Sequence, residues 1–235
     1  MVSVKTFGSS SAGNSYLLKD GDSALLLEAG IQPKKLKTDW SKVDALLITH
    51  GHMDHAKYAK DYIRRGGFSV YCTPGTAKEL NGVTKHRIME ADYLKQFTVK
   101  GWQILAFQVE HDTAQPSGFL IQTPSGKKVL FATDTYYIRY KFNGVTHFLI
   151  ECNYSMDILL SNVNQGLIDR GQYKRIMRSH FELSNLINFF EVNDLSKAEE
   201  IYLLHLSDRN SDEQYFISEV EKATGIPTYI AGGDD

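Results

Sequence analysis

The ten residues Leu46-Leu47-Ile48-Thr49-His50-Gly51-His52-Met53-Asp54-His55 constrain this chain more than any other stretch. An apolar run of strand type passes straight into four potential metal ligands within six residues. The chain holds eight histidines among 235 residues, so three of them in one window, with an aspartate between, are hard to ascribe to packing. A turn after a strand lets His50 and His52, at alternate positions, face one ion while Asp54 and His55 turn toward a neighbouring one. Imidazole and carboxylate donors suit zinc, manganese or iron. Zinc is the expected metal, with manganese as the other candidate.

Two ions need more than four ligands, so the rest of the chain should carry histidines or carboxylates where strands end. His111 follows the apolar run Trp102–Val109, Asp134 follows Val129–Phe131, and His205 follows Tyr202–Leu204. Taken singly, each has a plainer explanation as a turn cap, a loop histidine or a hydrogen-bonded core group. Beside the first cluster they supply the donors that a two-ion site still needs. His86 and His147 lack such placement and read as structural.

Composition narrows the setting. With 42% hydrophobic and 11% aromatic residues, the chain can build one sizeable core, and a single domain over 1–235 is expected. A formal charge of -2 offers no overall positive field for nucleic acid or an anionic membrane. Cys72 and Cys152 stand far apart, outside any CxxC spacing, so neither a disulfide framework nor a structural zinc knuckle is indicated, and a reducing compartment fits. Without a secretory leader or 18 consecutive apolar residues, a cytoplasmic protein with no membrane partner is expected.

Alternating or apolar runs predict strands at Val2–Phe7, Ser15–Leu18, Ser23–Leu27, Ala45–Thr49, Ser69–Cys72, Trp102–Val109, Gly118–Gln122, Lys128–Ala132, Phe148–Glu151 and Ile201–Leu206. The central pairs look antiparallel. Helical spacing appears near Ala56–Arg65, Pro74–Leu80, Ile158–Gly166, Tyr173–Arg178, Leu183–Asn193 and Asp212–Thr224. Periodicity thus gives mixed α and β with many hairpins, an order that a four-layer αββα sandwich accommodates.

The HxHxDH string from His50 to His55, with the later His111, Asp134 and His205, resembles the metallo-β-lactamase superfamily over almost the whole chain. The resemblance implies an α/β (α+β) fold, the four-layer αββα sandwich of that family. By the same resemblance His50, His52 and His111 would bind one ion, Asp54, His55 and His205 the other, and Asp134 would bridge them. An aspartate bridge with a final histidine points to the hydrolase branches. The strings Phe-Gly-Ser-Ser-Ser-Ala-Gly-Asn-Ser, His-Asp-Thr-Ala-Gln-Pro-Ser-Gly-Phe and His-Leu-Ser-Asp-Arg-Asn resemble its phosphodiesterases, including tRNase Z and the YycJ/WalJ exonucleases. The run Glu-Cys-Asn-Tyr, with Ser-His-Phe-Glu-Leu and Leu-Leu-His-Leu-Ser, resembles the anti-Pycsar enzymes that hydrolyse cyclic mononucleotides. One departure is Glu28, where the family's Leu-Leu-Asp-x-Gly turn carries aspartate.

These resemblances imply a phosphodiesterase for 3′,5′-cyclic mononucleotides of the cyclic CMP, UMP, AMP or GMP class. In a phage such an enzyme would defeat cyclic-nucleotide immunity inside the host cytoplasm. The alternative is a DNA or RNA exonuclease, for which Lys57, Lys60, Arg64 and Arg65 are a candidate basic track; a non-catalytic metal-binding sensor is the third. Asp54 is expected both to bind metal and to orient the attacking water. His180, with Glu151 holding its ring, is the expected proton donor, and Glu182 is the other candidate at that position. The competing explanation for Glu151 and His180 is a surface ion pair between a strand end and a helix start. The loop Gly8–Asn14 reads equally well as a phosphate cradle or a plain hairpin. Tyr136, Tyr137 and Tyr140 suit base stacking or an interface, and a homodimer sharing its active site reconciles the two.

Overall fold

The computed structural model describes residues 2–232. It is a mixed α/β structure with strands in two sheets, and it divides into two compact units, 2–108 with 113–128 and 109–112 with 129–232.

The first unit opens with β1 (Val2–Ser10), β2 (Gly13–Asp20) and β3 (Ser23–Leu27), which pair antiparallel in that order. Next come β4 (Val43–Leu47), β5 (Val70–Cys72) and β6 (Ile88–Glu90), added in parallel. Between β4 and β5 lie α1 (Met53–Ala56) and α2 (Ala59–Gly66), and α3 (Pro74–Glu79) follows β5. Three antiparallel strands, β7 (Gln96–Val99), β8 (Trp102–Gln108) and β9 (Ser117–Gln122), complete the unit. Leu25–Leu27 and Ala45–Leu47 are fully buried, as expected of continuous apolar runs in central strands. On one face Leu26, Leu46 and Ile48 join a core that takes in Ala59, Tyr62 and Ile63, the i, i+3, i+4 stripe of α2. Burying a side chain such as Ile63 contributes about 1.5–3 kcal/mol.

In the second unit β10 (Lys128–Ala132), β11 (His147–Glu151), β12 (Glu200–Leu204) and β13 (Thr228–Ile230) are all parallel, in that order. The β11–β12 crossover contains α4 (Met156–Asn164), α5 (Arg170–Ser179) and α6 (Leu183–Glu191), and α7 (Glu213–Thr224) precedes β13. Side-chain oxygens of Ser155, Asp169, Glu182 and Asp212 cap the free N–H groups that start these four helices. Phe148 of β11 meets Phe190 of α6 edge to face, with centroids 5.3 Å apart.

Two expectations change. Antiparallel pairing joins β1–β3 and β7–β9, whereas β3 to β6 and β10 to β13 pair in parallel, because long connections, most of them helical, carry the chain back before each new strand. The helix expected over Ala56–Arg65 is two helices: Tyr58 leaves helical geometry and its N–H donates to Ala29 O, so Asp54 and His55 occupy a separate turn. The short strands β6 and β13 lack the periodic apolar signal that would reveal them.

Candidate metal centre

In the first unit the site begins three residues beyond β4. Thr49 Oγ1 lies 2.9 Å from His50 Nδ1, which directs the ring's Nε2 the other way. The His50 ring sits 4.9 Å from that of His52 and 4.1 Å from that of His55, centroid to centroid. Asp54 and His55 lie on α1, a single turn fixed through its backbone. Ala29 N–H donates to His55 O at 2.6 Å, and Gly30 N–H to Asn14 O at 2.8 Å. A Cβ on Gly30 would stand 1.6 Å from Asp54 O, so only glycine allows this approach.

His55 is fully buried. Its Nδ1 is 3.7 Å from Glu28 Oε2, while Nε2 lies 3.0 Å from Asn14 Nδ2 and 3.4 Å from Asp54 Oδ2. Glu28 is buried in left-handed geometry at φ 64 and accepts the Thr49 N–H at 3.2 Å. Burial pushes its carboxyl pKa up, against the pull of His55. A carboxylate behind the far nitrogen of an imidazole is a recurring support for a metal-binding histidine.

In the second unit the polar groups gather at the carboxyl ends of three parallel strands, the usual ligand position in such sheets. Asp134 stands two residues past β10, Glu151 is the last residue of β11, and His205 follows β12 directly. Asp134 and His205 have φ of 46 and 53, left-handed values that cost a non-glycine residue about 1–3 kcal/mol each. His111 joins them from the 109–112 segment, its Nδ1 3.3 Å from Ser179 O and its Nε2 3.7 Å from Asp134 Oδ2.

Glu151 organises this cluster. Its Oε1 accepts from His180 Nδ1 at 2.7 Å and lies 3.1 Å from His205 Nδ1, while Oε2 accepts the N–H groups of Thr135 at 2.8 Å and Phe181 at 3.2 Å. Ligand atoms of Asp134, Glu151, His180 and His205 all lie within 4.8 Å of one another. Glu151 is thus committed to two imidazoles and two amides. Burial of the His180 ring works against its charge, but the Glu151 carboxylate outweighs that and raises its pKa to about 9. His180 also ends α5, where the helix dipole favours a cation. Burial likewise opposes the charge of Glu151, and the His180 charge overcomes it, leaving the carboxyl below its ordinary pKa.

Glu182 is the N-cap of α6, accepting Ser184 N–H at 2.8 Å and Asn185 N–H at 3.1 Å, so it is occupied with holding the helix. His180 closes α5 instead of starting a helix, with its own N–H donated to Ile176 O at 3.1 Å. Gly8–Asn14 forms the β1–β2 hairpin, from which the Asn14 amide reaches Ser10 O at 3.0 Å. Tyr136 and Tyr137 are exposed, while Tyr140 is half-buried near Phe142. His86 is exposed, and the buried His147 lies 2.8 Å from Thr146 Oγ1, both outside these clusters. The supports Asn14 and Asn153, which donates to His205 O at 2.6 Å, lie inside the strings 7–15 and 151–154, but nothing local marks either as a support; Glu28 ends an apolar run as Glu151 does.

The donors fit divalent cations. They are imidazole nitrogens and carboxylate oxygens, and Nδ1 of His50, His111 and His205 each faces a hydroxyl, carbonyl or carboxylate, which directs Nε2 the other way.

Comparison with known proteins agrees. The Beta-lactamase superfamily domain matches residues 22–205. Exodeoxyribonuclease WalJ of Streptococcus pneumoniae is 27% identical over 227 residues, covering 86% of this chain and 81% of the relative. Exodeoxyribonuclease YycJ of Bacillus anthracis is 24% identical over 240 residues, covering 93% and 89%. Among solved structures, the metallo-beta-lactamase fold protein YhfI from Bacillus subtilis shares the fold at a TM-score of 0.76 and 17% identity, over 98% of this chain and 97% of that one. With its two sheets, its helices and a His/Asp set suited to metal ions, the chain belongs to the beta-lactamase superfamily and is a hydrolase of the metallo-β-lactamase fold.

Proposed function

We propose that this protein is a metal-dependent phosphodiester hydrolase acting on nucleotides, a reading carried above all by the buried Glu151 that grips both His180 and His205. In this proposal His50, His52 and His111 would hold one divalent ion, Asp54, His55 and His205 a second, and Asp134 would serve both; zinc is the proposed metal, with manganese second. Bound there, two such ions would neutralise phosphate charge and bring the pKa of a shared water toward neutrality. The Asp54 carboxylate would orient the attacking water by accepting its hydrogen bond. His180, charged at neutral pH and held through Nδ1, offers Nε2–H to the leaving oxygen.

Two substrate classes are proposed. The Glu151–Tyr154 run supports 3′,5′-cyclic mononucleotides, whose hydrolysis in a phage would remove an immune signal. The two curated relatives, each named an exodeoxyribonuclease and each matched over most of its length, support a nucleic acid strand. A homodimer is proposed on the exposed Tyr136 and Tyr137.

The test is hydrolysis of a panel of cyclic mononucleotides beside single-stranded DNA by zinc- or manganese-loaded protein, with His52→Ala as control. Cleavage of either class, lost in the control, supports the phosphodiesterase; no cleavage of any member sinks it. Which class is cut chooses the substrate, and sedimentation equilibrium tests the dimer.

A further inference from the structure

Helix α5 is the most cationic element of a chain whose net charge is -2. Its sequence, RGQYKRIMRS, carries Arg170, Lys174, Arg175 and Arg178 and no acidic residue, and all four cations are exposed. At 3.6 residues per turn they occupy an arc of about 140° and run ~12 Å along the helix. Tyr173 and Ile176 fall on the opposite side and are half-buried, packed on the small cluster of Tyr154, Leu159 and Ile168. That cluster fixes the helix and leaves the cationic arc to solvent. Among the described residues none of the four has an ion-pair partner, in contrast to Arg64 on α2, which pairs with Asp61 at 3.0 Å.

A cationic helix with no internal partners is not explained by stability. Like charges at i, i+4, as at 170, 174 and 178, disfavour the helix by a few tenths of a kcal/mol per pair. The helix also has a destination: it ends at His180, whose N–H closes its last turn, and the charge of Arg175 is felt at that ring. In the same unit Tyr136 and Tyr137, two and three residues beyond Asp134, are 40% and 55% exposed. Cations that track phosphates and aromatic faces that stack bases are the two elements of single-strand recognition.

We propose that the exposed face of α5 is a phosphate-binding track that holds a single-stranded nucleic acid and leads its end toward His180. The inference rests on the phosphodiesterase reading and deepens it by assigning the surface that would engage a strand. A cyclic mononucleotide, carrying one charge, has no use for four cations along a helix. Strand affinity supplied this way depends on salt, since each neutralised phosphate releases counterions and adds about -0.7 to the slope of log K against log salt.

The experiment measures binding of a labelled, hydrolysis-resistant oligothymidylate to the metal-loaded full chain between about 50 and 200 mM salt. It compares wild type with the quadruple variant R170Q/K174Q/R175Q/R178Q and the charge-keeping variant R170K/R175K/R178K. The expected result is an affinity loss on the order of 10-fold or more at low salt in the glutamine variant, with a slope less negative by roughly 2–3. The lysine variant should keep most of both. Should the quadruple variant lose its helical circular dichroism, Arg178→Gln alone gives the same readout, with a slope change of about 0.7. Unchanged affinity and slope in the glutamine variant overturn the proposal, as does an equal loss in the lysine variant. Wild-type hydrolysis of bis(4-nitrophenyl) phosphate is followed separately. Its absence counts against the phosphodiesterase, whereas its presence with unaltered strand binding counts only against the track.

Discussion

Glu151 and His180 share a 2.7 Å hydrogen bond, yet removing each should have different consequences. His180→Ala deletes the proposed proton donor but no proposed ligand. Turnover should fall about 10²–10⁴-fold while the metal content measured by mass spectrometry stays at the wild-type level. Glu151→Gln leaves His205 without the carboxylate at its Nδ1, so metal affinity should fall about 10–100-fold, measured by competition with a chelating dye. Loss of metal in H180A, or full retention in E151Q, would reverse the assigned roles. The raised pKa of His180 also has a sign. A group held above its ordinary 6.5 contributes stability that is complete below that value and disappears as pH rises through about 9. In chelator, the difference in urea midpoint between wild type and H180A should therefore stay flat up to about pH 6.5 and shrink by pH 9. At this scale the residue types suited to metal ions were legible in the HxHxDH string and at the ends of apolar runs. The partners that aim the rings were not, because Asn14 and Asn153 reach His55 and His205 across 41 and 52 residues of chain.

Among the elements, α1 shows how a site is positioned by backbone alone. It is four residues long, too short to be stable by itself, and is held by the N–H of Ala29 and the close approach of Gly30 to Asp54 O. Gly30→Ala should force this turn outward. The expected cost is about 1–3 kcal/mol in urea unfolding, with weaker metal binding, since Asp54 and His55 move with the turn. Wild-type stability with full metal content in that variant would mean that the segment after β3 and α1 separate without strain. The sequence contained one continuous helical pattern over Ala56–Arg65, and the break at Tyr58 was invisible because it depends on the carbonyl of Ala29, brought there by β3. Elements with a buried stripe, such as α2, or a wholly buried run, such as β3 and β4, were legible because burial imposes a period or a composition. Edge strands β6 and β13 bury little and carry no such imprint.

At the scale of the molecule, ions that bind only the folded chain stabilise it by mass action, by about 4 kcal/mol when free metal exceeds its Kd a thousandfold. Adding a chelator should lower Tm, and the shift should grow with the logarithm of the metal concentration replaced, as followed by scanning calorimetry. A Tm indifferent to both metal and chelator would argue against ions held by the folded protein. Among the described residues no helix is long and apolar enough to cross a membrane. Cys72 and Cys152 are both buried and unbridged, and burial pushes their thiol pKa values up. What the sequence determined by itself was local and chemical. It set which residues can ligate a cation, which runs are strands, and the family to which the string from His50 to His55 belongs. Tertiary structure decided direction: parallel against antiparallel pairing, the left-handed geometry of Glu28, Asp134 and His205, and the use of Glu182 as a helix cap. These depend on hydrogen bonds between segments far apart in the chain, and no local pattern of residues encodes which distant amide or carboxylate will arrive.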